Sequence, residues 1–221
     1  GKEWEQTFSV LHNREERTLS DSPFGLDFAG QWHILDRDDK EDYMRAAKLL
    51  GITWLRERMS WGGIEQQNGI FSYDDHDLSV NMPSEYGLKL LEVFHDSPSW
   101  YSGNLFDAYN FTKTLGEHYA GKIAALEIWN EADIGFGAET ADRFSALFKA
   151  AAIGAADSES GMLKMNGGWA ETPVTTDTNS TYSEQCLKND ILDYSDTYAY
   201  HSYGQVGAGK TNHGNDSGNK S

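Results

Sequence analysis

The chain has 221 residues, the size of one large domain or two small ones, and its 38% hydrophobic and 13% aromatic content, with 7 Trp and 11 Tyr, is too rich for a disordered chain and too scattered for a membrane span. Eighteen basic residues against 35 acidic ones give a net charge of −17, a field that repels phosphate backbones and anionic lipid, so neither nucleic acid nor membrane is expected as a partner. The one cysteine, Cys186, leaves no internal disulfide, no Cys-rich zinc site and no CxxC redox centre.

Residues 1–21 read as an N-terminal extension, and the alternating stretch Thr7 to Leu11 suits the end of a preceding β module. The first ten residues have neither the basic start nor the apolar run of a signal peptide, while the strong negative charge suits a secreted or cell-surface enzyme. From residue 22, short apolar runs alternate with segments of helical period, the pattern of strand–helix units on a parallel sheet. Pro23 to Phe28 is expected as the first strand, Asp39 to Leu50 as a helix stopped by Gly51, and Ile52 to Trp61 as the second strand. A helix around Leu78 to Tyr86 precedes a third strand, Leu88 to Phe94, which Ser97-Pro98-Ser99-Trp100 ends. Next come a helix from Asn104 to Tyr119, a fourth strand from Ile123 to Glu131 and an Ala-rich helix from Thr140 to Ala156. Lys164 to Trp169 is the fifth strand, Glu184 to Tyr194 a helix and Asp196 to Tyr203 the sixth strand. Residues 204–221 are Gly-, Asn- and Ser-rich, a composition for loop or disorder.

Six parallel strands fit an open doubly wound sheet, and they also fit six of the eight units of a (β/α)8 TIM barrel. Periodicity alone does not choose. The polar residues favour the barrel, because Arg56, Glu57, Arg58, His95, Asp96, Asn130, Glu131, His201 and Tyr203 fall within strands or at their C-terminal ends, where barrel enzymes carry their chemistry. The run Glu127-Ile-Trp-Asn-Glu131 is the most informative of these. An Asn and a Glu side by side at a strand mouth are costly to bury without partners, and a carboxyl beside Trp129 in a partly apolar cleft retains its proton as a general acid must.

At this point the chain resembles a family group, the clan of retaining (β/α)8 glycoside hydrolases that includes cellulases, β-xylosidases, α-iduronidases and β-galactosidases. Leu55-Arg56 followed by Ser60-Trp61 resembles the clan's second strand, and Trp61 to Tyr73 is similar to the loop after it. Trp129-Asn130-Glu131 resembles the fourth-strand signature, and His201-Ser202-Tyr203 the sixth-strand His-x-Tyr. The resemblance runs from about Phe24 to Tyr203 and rests on the order of four short motifs. It implies a glycoside hydrolase cleaving poly- or oligosaccharides, with Glu131 as acid/base, Asn130 on a sugar 2-hydroxyl, and Arg56, His201 and Tyr203 around the scissile sugar. The clan's nucleophile is a Glu ending a seventh strand, so the resemblance places the nucleophile and the remaining strands on residues outside these 221. Glu131 alone can donate a proton but cannot form a glycosyl-enzyme.

Other residues carry two readings each. Trp100 and Trp169 are candidate sugar-stacking platforms or simply packed rings. His95 matches a position where clan members often place a His near the sugar, or is a core histidine satisfied by backbone. Glu171 is a substitute carboxylate or, the favoured reading, part of a solvated loop, and Glu57, alternating away from Arg56 and Arg58, faces the helices or pairs locally. Gly204-Gln-Val-Gly-Ala-Gly209-Lys210-Thr211 fits GxxxxGK[ST], but residues 212–221 lack the helix a P-loop needs, so a nucleotide-binding P-loop is the weakest reading. No metal-ligand spacing is present and no cofactor is implied. A catalytically silent carbohydrate-binding barrel remains the alternative.

Overall fold

The computed structural model describes residues 24–33, 36–134, 136, 139–170 and 181–201. The extension at 1–21, Glu171, Tyr203 and the glycine-rich 204–221 stretch lie outside them.

Five strands form one parallel sheet: β1 (Gly25–Asp27), β2 (Trp54–Ser60), β3 (Lys89–His95), β4 (Ile123–Ile128) and β5 (Leu163–Asn166). Their spatial order is their chain order. A doubly wound sheet reverses direction at a switch point, whereas right-handed crossovers in an unreversed order put every connecting helix on one face, as in a barrel wall. The helices are α1 (Gly30–His33), α2 (Arg37–Leu49), α3 (Trp61–Ile64), α4 (Asp77–Glu85), α5 (Leu105–His118), α6 (Ala141–Asp157) and α7 (Tyr182–Lys188). Side-chain oxygens of Asp36, Asn104 and Thr181 accept bonds from the first turns of α2, α5 and α7, and Thr181 with Glu184 closes a capping box.

Alternation along the strands divides the side chains between two faces. Leu55, Met59, Leu90, Phe94, Leu126 and Ile128 are buried toward the helices, where Phe94 meets Trp61 and Phe111. The tightest helix contact is α5 on α6: a Cβ on Gly154 would sit 2.1 Å from the Tyr109 carbonyl oxygen, and Thr112 Oγ1 donates to the Ala151 carbonyl at 2.7 Å. In the loop after β2, Glu65 is a structural hub, accepting from Trp61 Nε1 at 2.7 Å and from the Gly69 amide at 2.8 Å.

Glu57 does face the helices, and Glu92, its register partner on β3, is wholly buried beside it. The amides of Gln31 and Arg58 donate to Glu57, while neither Glu92 oxygen has a partner among the described residues. Burial, reinforced by the Glu57 charge, holds the Glu92 carboxyl well above the usual carboxylate range. The folded state therefore keeps a proton that the unfolded chain releases, and stability falls as pH rises from the ordinary Glu range toward the raised value. Replacing Glu92 with Met should stabilise the fold by about 1–3 kcal/mol at neutral pH and flatten this dependence, read from urea unfolding at several pH values. A destabilised variant would contradict it.

Among the described residues, the expected sixth strand makes two parallel bridges, Met165 with Thr197 and Trp169 with Tyr200. The Asn166 side chain explains this. Its Oδ1 accepts from the Ala199 amide at 3.0 Å and its Nδ2 donates to the Ala199 carbonyl at 2.9 Å, so a side chain makes the bonds a backbone ladder would otherwise make. The segment still lies beside β5, in sixth position.

Candidate active site

A cleft of about 760 Å³ opens at the C-terminal ends of the strands. Asp27 lines it from β1 with Phe28 and Ala29 just after that strand, Arg56 and Arg58 from β2, His95 from β3, Asn130 and Glu131 from just past β4, and His201 from the sixth position. Of the expected site residues, Arg56, His95, Asn130, Glu131 and His201 are therefore brought together.

Arg56 organises the floor. Its Nε donates to Glu127 Oε2 at 2.7 Å, and one terminal nitrogen reaches Glu127 Oε1 at 2.9 Å and Asn130 Oδ1 at 2.8 Å. The other terminal nitrogen reaches Asp27 Oδ2 at 3.2 Å. Burial alone would lower the Arg56 pKa, but the bonds and charge of Glu127, with Asp27, hold it above its ordinary value. Burial likewise works to raise the Asp27 carboxyl, yet Arg58 and Arg56 hold it below the usual range, so its contribution to stability is present near neutral pH and lost on acidification. Glu127 also accepts from the Gly168 amide at 2.9 Å, which leaves it buried with both oxygens occupied.

Glu131 lies three residues past the end of β4. His201 Nδ1 is 2.7 Å from Glu131 Oε1, and His201 Nε2 is 4.0 Å from Glu127 Oε1, so the imidazole sits between two carboxylates. A Cβ on Gly168 would lie 2.2 Å from the His201 ring, so glycine is the residue that lets the imidazole approach. Backbone strain gathers here: Ala29, Asp96, Trp129 and Glu131, at φ of 46°, 59°, 74° and 43°, are four of the six non-glycine residues with positive φ among those described. All four follow strand ends around the cleft, where strain commonly marks function.

Three expectations change. Trp129 does not line the cleft that Glu131 lines; its ring packs edge-on against Phe94, donates from Nε1 to the Phe136 carbonyl, and borders a second cavity of about 500 Å³ with Tyr101, Phe136 and Phe144. Trp100 packs against Trp61 and donates to the Glu65 carbonyl at 2.8 Å, away from the cleft. Trp169 is fully buried, edge-on to Tyr198. Neither Trp100 nor Trp169 lines the cleft: Trp169 is fully buried, and Trp100 is part-buried against the core.

Two participants escaped the sequence reading. Glu127 sits in an apolar run, and the signal was its strand parity: a carboxylate on the same face as Arg56 needs a buried partner. Trp32, on the four-residue α1, lines the cleft with 47% of its surface exposed, and so short a turn has no period to flag it.

The sheet order and the cleft at its C-terminal end define the wall of a (β/α)8 barrel. No family model matches the chain. It is similar to the solved structure of a family 39 glycoside hydrolase from Bacteroides cellulosilyticus WH2, with a TM-score of 0.58 and 17% identity over 77% of this chain and 39% of that one. A glucosidase from Croceicoccus marinus gives a TM-score of 0.57 and 13% identity over 71% of this chain and 38% of that one. Among curated proteins, endo-1,4-beta-xylanase B of Neocallimastix patriciarum is 29% identical over 106 residues, which is 43% of this chain and 12% of the xylanase. The chain thus has the fold of the (β/α)8 glycoside hydrolases and spans well under half the length of these proteins.

Proposed function

We propose that this chain carries part of the catalytic barrel of a retaining glycoside hydrolase acting on poly- or oligosaccharides, with Glu131 as general acid/base. The observation that carries the reading is the setting of Glu131 in the strand-end cleft, held at 2.7 Å by His201 and preceded by an Asn130 whose amide is oriented by Arg56. Because Arg56 donates to Asn130 Oδ1, the Asn130 Nδ2 donors are the end left for a sugar hydroxyl. In the first step Glu131 gives its proton to the departing glycosidic oxygen; in the second, as carboxylate, it takes a proton from the attacking water. His201 holds the carboxyl in place through both steps.

Retention requires a second carboxylate about 5 Å from the acid. Arg56 and the Gly168 amide occupy Glu127, and Arg58 and Arg56 occupy Asp27, so neither is a ready nucleophile. The reading therefore assigns the nucleophile to residues outside those described.

The full-length protein should release reducing sugar from xylan or cleave an aryl glucoside or xyloside. Binding of xylo-oligosaccharides with no hydrolysis of any of these would overturn the enzyme reading in favour of a silent carbohydrate-binding barrel.

A further inference from the structure

The half-exposed Trp32 is held in place by a buried scaffold. The Gln31 amide donates to Glu57 Oε2 at 3.1 Å, and the Gln31 side-chain oxygen accepts from Ser79 Oγ at 3.1 Å. Ser79 Oγ in turn accepts from Lys40 Nζ at 2.6 Å. Glu57, Ser79 and Lys40 are all buried, and they come from β2, α4 and α2. Three elements thus fix the residue next to Trp32, and the amides of Trp32 and His33 close the turn onto the Ala29 carbonyl at 3.1 and 3.2 Å.

The ring has defined neighbours. The Arg58 guanidinium, tied down by Asp27, lies 5.3 Å from the ring centroid. His95 stands edge-on, its ring centre 5.4 Å away. His95 Nδ1 pairs with Asp96 at 2.9 Å, but His95 Nε2 is buried with no hydrogen-bond partner among the described residues. An orphaned polar atom beside a rigid, half-exposed aromatic in a cleft is the complement of a ligand with an apolar C–H face and hydroxyls at its edge. A pyranose ring has both.

We infer that Trp32 is a sugar-stacking platform of this cleft, taking one pyranose ring against its exposed face with a hydroxyl of that sugar bonded to His95 Nε2. The inference rests on the carbohydrate reading and adds to it the residue that holds a sugar on the β1–β2 side.

The test is isothermal titration of the full-length protein in a Glu131→Gln background, which removes the proton donor, with xylohexaose and cellohexaose as probes. Adding Trp32→Ala should weaken binding about 10- to 100-fold, Trp32→Leu nearly as much, and Trp32→Phe only a few-fold, since Phe keeps a ring face and Leu does not. Unchanged far-UV circular dichroism identifies folded variants, and the Leu–Phe contrast holds even if Ala fails to fold. Equal affinity in the parent and in Trp32→Leu would overturn the platform while leaving the carbohydrate reading intact. Failure of the parent to bind either probe would overturn the carbohydrate reading and the platform with it.

Discussion

Glu131→Ala in the full-length protein is expected to lower turnover of glycosides with poor leaving groups by roughly 100- to 10,000-fold, the usual worth of a positioned acid. Activated aryl glycosides should lose far less in their first step, because a phenolate of low pKa departs without protonation. The asymmetry follows from the residue's role: alanine removes the proton donor and leaves any nucleophile in place. Steady-state kcat/KM across a series of aryl glycosides of rising phenol pKa reads it directly, with the variant's rate falling steeply along the series and the parent's only weakly. Equal losses across the series would make Glu131 a structural carboxylate and His201 its packing partner.

The second large effect concerns stability. Arg56→Ala strips Glu127 of its bidentate partner and leaves one amide donor, from Gly168, on a carboxylate that is 2% exposed. A buried charge so abandoned costs about 3–5 kcal/mol, unlike the 0–1 kcal/mol of a surface ion pair. The loss should appear in urea unfolding at neutral pH. Adding Glu127→Gln to Arg56→Ala should recover part of the loss, since the two side chains contribute as a unit. A deficit below about 1 kcal/mol would place the pair in the class of solvated surface contacts.

Much of the sheet was legible because its strands are apolar runs separated by glycine, proline and helical period, and those signals are local. Strand ends came out shorter than expected. The first strand ends at Asp27 rather than Phe28, and the fourth at Ile128 rather than Glu131, because the left-handed backbone of Ala29 and Trp129 turns each chain out of the ladder. Among the described residues the sixth segment pairs only through bridges at Thr197 and Tyr200, for a reason that no window of sequence contains, a side-chain amide 33 residues away that bonds the Ala199 backbone. Arg56, His95, Asn130, Glu131 and His201, singled out as polar residues at strand ends, line one cleft. Trp100 and Trp169 were not separable from stacking rings, since whether a tryptophan is covered depends on tertiary neighbours. Trp32 is the converse case, a half-exposed ring whose neighbour Gln31 is tied to Glu57 and Ser79, contacts far away in the sequence.

The central claim, that Glu131 is the acid/base of a two-step displacement, is tested most directly by the product that the full-length Glu131→Ala variant makes from an activated aryl glycoside in azide. With a nucleophile still present, the first displacement inverts the anomeric centre and azide, attacking the glycosyl-enzyme, inverts it again. Proton NMR of the product should therefore show a glycosyl azide with the anomeric configuration of the substrate, formed faster than hydrolysis without azide. A glycosyl azide of opposite configuration would mean a single displacement, with Glu131 itself the missing nucleophile, and would contradict the assignment.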